Sequence, residues 1–151
     1  MAIGKKELYP RTLVTISKGT DITMHLLESP PAFPIEYQNK KLLFYNQRNA
    51  LWTYPYEHET EIEGNLHTSG CGLFALSHGI QWMNGRSMQP QTLADFAKNH
   101  GARKNDGTDR PMLLSAMMEQ GLAQEAGFFY HGEGLLNQQK TLWDHIVQKK
   151  G

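Results

Sequence analysis

Apolar and β-branched residues cluster in short runs through the first third of the chain and then give way to helical spacing. Residues 12–17 (TLVTIS) and 21–27 (DITMHLL) flank Lys18, Gly19 and Thr20 and predict a hairpin. Pro30, Pro31 and Pro34 interrupt any regular element before 41–45 (KLLFY) resumes a strand-like run. Asn46, Gln47, Arg48 and Asn49 turn the chain, and 50–54 (ALWTY) reads as short and extended. The polar, acidic stretch 57–65 (EHETEIEGN) reads as a solvated loop.

Four helices follow, argued from their ends as well as their periods. The first runs over about 71–83, with Phe74, Ala75, Leu76 and Ile80 as apolar positions and Asn84-Gly85 as its stop. The second starts near Pro90, carries Leu93, Phe96 and Ala97 on one face, and stops at Asn99, His100 and Gly101. The third has Thr108 or Asp109 as cap and Pro111 in its first turn, turns Met112, Leu113, Ala116 and Met117 inward, and ends at Gly121. A short strand over 127–130 is expected next. Asn137 then caps a fourth helix, in which Leu142/Ile146 and Trp143/Val147 are i,i+4 pairs and Lys149 and Lys150 meet the negative end of the dipole. Five methionines between 83 and 118 fall mostly at helical spacing, where flexible core filler is the ordinary role.

The pattern is α+β: residues 1–56 form a strand-and-turn region, and 57–151 a helical part of the same domain. With 151 residues, 39% of them hydrophobic, one core is expected. Lys+Arg and Asp+Glu balance at 15 each with no basic block, which argues against nucleic acid or a membrane surface as partner. No stretch approaches the roughly 20 apolar residues that span a bilayer, and 1–6 has no apolar run behind its charges. A cytoplasmic or already processed chain is the expectation.

Cys71 is the one cysteine, so it forms neither an internal disulfide nor a Cys-rich zinc site. A thiol attacks carbonyls as its thiolate, and the first turn of a helix favours that negative charge. Ser69-Gly70-Cys71-Gly72 followed by a helix-period run supplies such a place. Gly70 and Gly72 leave the sulfur unscreened on both sides, so a substrate backbone can approach and the Cys71 N–H is open to an oxyanion. A buried, inert cysteine at a helix start is the alternative.

The surroundings bear on that choice. Tyr45-Asn46-Gln47, then Trp52, Tyr56, a polar loop, Ser69-Gly70-Cys71-Gly72 with Ala75, and later Asp106-Gly107-Thr108 and Gly121-Leu122 occur in this order. In these features the chain, from about 43 to 151, resembles the double-glycine (bacteriocin-processing) peptidase-like family of papain-like cysteine peptidases. The resemblance implies a half-domain of papain-like fold, with Cys71 on its central helix as nucleophile. It points to Gln47 as a side-chain donor to the oxyanion hole, with Asn65, six residues before Cys71, as second candidate. An ordinary turn residue is the other reading of Gln47.

The family's general base is a histidine on a strand after the fourth helix, and this chain ends at Gly151 where that strand is expected. None of His25, His58, His67, His100 and His131 lies at that position. His78, two turns beyond Cys71, is about 10 Å away along the axis and reads as structural. His145, beside Asp144, is a candidate base whose neighbours read as helix. His58, Glu59, Glu61 and His67 match no dedicated metal spacing, so neither metal nor cofactor is expected. The expected function is hydrolysis of peptide or amide bonds, with the base supplied by a second chain or a homodimer partner completing the fold. The competing expectations are an inactive peptide- or partner-binding module, and an acyl transferase of transglutaminase-like type.

Overall fold

The computed structural model describes residues 29–130, together with the backbone of Val14 and Thr15. The architecture is mixed α+β. Strand β1 (Val14–Thr15) runs parallel to β2 (Ala32–Tyr37), which pairs antiparallel with β3 (Lys40–Tyr45) in the order β1-β2-β3. The rest of the expected hairpin over 12–27 lies outside the described residues, as do His25, His131, His145 and the fourth helix.

The strand at 41–45 is present, but the prolines do not prevent its neighbour. Strand β2 runs through Pro34, which faces Leu43. The N–H and C=O of Leu43 turn away from β2 to the Gln81 side-chain amide, each at 2.9 Å, so this position needs no N–H from Pro34. The Tyr45 N–H donates to His78 Nε2 at 2.9 Å. Side chains of a helix thus cover the outer edge of β3, where an exposed edge would otherwise invite pairing. Gln38 and Asn39 close the β2-β3 hairpin with φ of 48° and 63°, the left-handed values a two-residue primed turn requires.

Residues 50–54 are not a strand. Asn49 N–H donates to Asn46 O and Trp52 N–H to Asn49 O, so turns continue to Trp52, whose indole N–H reaches Pro31 O at 3.1 Å. Residues 57–65 are also more than a solvated loop. Tyr56 N–H donates to Gly64 O, and His58 and Glu61 exchange backbone hydrogen bonds, which folds the segment into a compact hook.

Among the described residues five helices follow: α1 (Leu66–Ser69), α2 (Cys71–Asn84), α3 (Pro90–Asn99), α4 (Arg110–Glu119) and α5 (Leu122–Ala126). The ends of α2, α3 and α4 lie where capping chemistry puts them. Gly85, at φ 72°, closes α2, Pro90 opens α3, and the Asp109 carboxylate accepts the Met112 N–H at 3.0 Å to cap α4. Between α3 and α4, β4 (Arg103–Lys104) and β5 (Gly107–Thr108) form a small antiparallel hairpin. Where a strand was expected at 127–130 there is none, and α5 precedes it: Gly121, read as a stop, stands at φ 76° between two helices.

Among the described residues, one hydrophobic cluster draws on segments before and after residue 57. Tyr45, Trp52 and Tyr56 pack with Leu73, Phe74 and Leu93, and the Trp52 and Phe74 rings meet edge to face at 5.0 Å. Met112, expected inward, lies exposed, as does Ala75, one of the apolar positions of α2. Of the five methionines, Met117 is fully buried and Met88 and Met118 pack on the core, whereas Met83 and Met112 face outward. No helix among the described residues is long and apolar enough to cross a membrane.

Candidate active site at the start of helix α2

Cys71 is the first residue of the 14-residue helix α2, and its side chain is exposed. The break between α1 and α2 puts it there. Gly70 ends one helix and begins the next, and its N–H donates to Leu66 O at 3.1 Å. A Cβ on Gly70 would stand 2.5 Å from Leu66 O. Gly70 is therefore a packing requirement of the α1–α2 junction, whatever it adds in access to the sulfur. Gly72 is looser: a Cβ there would meet Thr108 Cβ at 3.6 Å, an ordinary contact.

The first turn of α2 leaves donors open. The N–H groups of Leu73 and Phe74 both donate to Gly70 O, while those of Cys71 and Gly72 have no acceptor among the described residues. The Cys71 thiol likewise has no hydrogen-bond partner among them.

A buried polar network lies beneath this turn. Arg103, 5% exposed, donates through Nε to Tyr56 O at 2.9 Å and through Nη1 to the carbonyls of Lys104 and Gly107. Its Nη2 pairs with Glu61, and its guanidinium lies over the Tyr56 ring, 4.8 Å from the centroid. Both Glu61 oxygens accept from Ser69 Oγ at 2.8 Å. Hydrogen bonding from Ser69 first, and from Arg103 next, holds the Glu61 carboxyl below its ordinary value. The loop 57–65 and the β4-β5 hairpin are thereby fastened to the residues that precede Cys71. Gly107 stands at φ 121°, which only glycine adopts freely, and faces Ser69 O.

Tyr56 is fully buried, and its Oη lies 2.7 Å from Thr108 Oγ1. Burial raises its phenol above the ordinary value, while the Thr108 hydrogen bond and the Arg103 charge pull it down. Either hydroxyl can be the donor in this bond.

Of the sequence-derived donors, Gln47 is committed to α1: its Nε2 donates to Leu66 O at 3.3 Å and His67 O at 3.2 Å. Asn65 is the N-cap of α1, accepting from Thr68 N–H at 3.1 Å in a reciprocal capping box. The described histidines hold other posts. His67 Nδ1 lies 2.8 Å from Gln47 O, His58 Nδ1 3.1 Å from Thr60 Oγ1, and His100 Nδ1 2.8 Å from Phe96 O. His78 stacks on Phe44 at 4.9 Å and accepts from Tyr45, the structural role expected of it, and burial lowers its pKa. It borders an apolar cleft of about 340 Å³ between the β2-β3 hairpin and α2, lined also by Ile35, Leu42, Phe44 and Trp82.

Among the described residues no group of three His, Cys, Asp or Glu side chains could hold a metal ion. Glu61, weighed with His58, Glu59 and His67 as a ligand, is bound to Ser69 and Arg103 instead. The residues that sequence reasoning missed are Arg103 and Glu61. A buried arginine 42 positions from its carboxylate leaves no local signal. Comparison of the chain with protein-family models, with curated proteins and with solved structures finds no match in any of the three.

Proposed function

We propose that the protein is a thiol hydrolase of peptide or amide bonds, built on a papain-like half-domain, with Cys71 as nucleophile. The observation that carries this reading is the start of α2: an exposed thiol on the first residue of a long helix, beside two backbone N–H groups that have no acceptor among the described residues. The free N–H groups suit the oxygen that gains charge when a carbonyl is attacked. Attack forms the Sγ–C bond, expels the amine, and leaves a thioester that water hydrolyses. The base is a histidine from outside the described residues, either His145 or one from a second copy or partner chain that completes the fold. Gln47 would reach the reacting oxygen only by releasing the α1 carbonyls it holds.

Reaction with iodoacetamide at neutral pH, followed by mass, tests the nucleophile. Alkylation of Cys71 faster than that of free cysteine, abolished in Cys71→Ala, supports the reading. A rate no faster than free cysteine rejects it in favour of a peptide- or partner-binding module. That second reading is favoured by the hydrogen bonds of His58, His67, His78 and His100, which go to Thr60, Gln47, Tyr45 and Phe96 and not to Cys71. Adding an amine during turnover separates acyl transfer from hydrolysis by its product.

A further inference from the structure

We propose that the cleft between the β2-β3 hairpin and α2 is a binding site for a single-chain amphipathic anion, a carboxylate on an apolar tail, with Lys40 meeting the carboxylate at its edge. The site does not include Cys71 and does not depend on that residue being a nucleophile.

The walls select the tail. Opposed residues of a hairpin, and alternate residues along each strand, share a face, so Ile35, Leu42 and Phe44 stand on one side of the sheet together with Lys40. That side meets His78, Gly79 and Trp82 of α2 around a space of about 340 Å³, within the range of small-molecule pockets. Of the polar side chains in the lining, the Gln81 amide is engaged by Leu43 and His78 Nε2 by the Tyr45 N–H. Gly79 lies in the interior of α2, where glycine weakens a helix relative to alanine, yet a Cβ there would meet nothing within 4 Å. Packing among the described residues therefore does not require this glycine. It leaves the cleft wider than any side chain would.

The charge selects the head. Lys40 Nζ donates to Trp82 O at 2.9 Å and stands 4.1 Å from the centre of the Trp82 ring, which holds the cation beside a wall of the cleft. It forms no ion pair among the described residues. Helix α2 carries no acidic residue, and Glu36 of β2 stands opposite Lys41 on the other side of the sheet. An ammonium has three donors, of which Trp82 O takes one. A positive charge without a carboxylate, next to an apolar space, is complementary to an anion that carries an apolar tail.

Titration of the full chain at pH 7 and low salt with decanoate, octanoate and neutral octanol, followed by amide chemical shifts, tests tail and head separately. Shifts should centre on Phe44, His78, Gly79 and Trp82, and decanoate should bind about 10-fold more tightly than octanoate for its two extra methylenes. In Lys40→Met, octanoate should weaken by about 3- to 5-fold while octanol stays within about twofold of wild type. Gly79→Leu, which fills the open space, should abolish the shifts from all three. If that variant misfolds by circular dichroism, Trp82→Ala removes a wall instead and should weaken octanoate and octanol alike. Absence of decanoate binding, binding that survives Gly79→Leu or Trp82→Ala unchanged, or equal loss of octanoate and octanol in Lys40→Met would each overturn the proposal. So would a dimer that Gly79→Leu dissociates, which assigns the cleft to a second copy, or binding to phosphatidylglycerol vesicles without binding to decanoate, which assigns it to a lipid surface.

Discussion

Arg103→Met is the perturbation that best tests how the candidate site is held together. Methionine keeps an apolar stem of similar reach and deletes the donors. The arginine serves three backbone carbonyls, those of Tyr56, Lys104 and Gly107, and one carboxylate, Glu61. At about 1–1.5 kcal/mol for each carbonyl that loses its donor, the three together cost roughly 3–4.5 kcal/mol. That matches the roughly 3–5 kcal/mol typical of removing one partner from a buried charged network. Glu61 adds little, because its side chain is 36% exposed and rehydrates when the arginine is gone. Glu61→Gln, whose amide oxygen can still accept from Arg103 while the three carbonyls keep their donor, should therefore cost less than Arg103→Met.

Urea unfolding followed by circular dichroism measures both variants. At about 2–4 °C per kcal/mol for a chain of this size, Arg103→Met should also melt roughly 10 °C lower. Arg103→Lys should fall between the two, since one ammonium cannot fork to three carbonyls. Equal losses for Glu61→Gln and Arg103→Met would refute the reasoning, because the ion pair and not the carbonyl fork would then be holding the hairpin to the loop.

Two further outcomes follow from the same contacts. Gly70→Ala should destabilise the protein by about 1–3 kcal/mol in urea unfolding, because its Cβ meets the Leu66 carbonyl at 2.5 Å, while Gly72→Ala, with an ordinary contact to Thr108, should be neutral within about 0.5 kcal/mol. Equal effects would show that the α1–α2 junction relaxes freely. Burial lowers the pKa of His78 in the folded state, so the unfolded chain binds more protons as pH falls below about 6.5, and stability present above that value is lost on acidification through the folded pKa. His78→Gln should flatten the dependence of the urea midpoint between about pH 7 and pH 5, and an unchanged slope would assign it to other groups.

The sequence was most legible where local chemistry ends an element. Pro90, Asp109 and Gly85 act within one turn of themselves, so the bounds of α2, α3 and α4 could be read without knowing what packs on them. Strand β2 was missed because tolerance of Pro34 depends on Leu43 turning its polar groups to Gln81, 38 residues farther on. Helix α5 was missed for a related reason. A glycine with positive φ both stops a helix and allows another to begin, and Gly121 does both.

The candidate site divides along the same line. Cys71 at a helix start needed only Gly70, Gly72 and the periodicity behind them. What surrounds it is assembled from segments 42 to 52 positions apart: Glu61 with Arg103, Tyr56 with Arg103, Tyr56 with Thr108. Resemblance supplied residue types for that shell and directed attention to Gln47. The hydrogen bonds distribute the work differently, since an amide that already holds the Leu66 and His67 carbonyls is not free to meet a reacting oxygen without loosening α1.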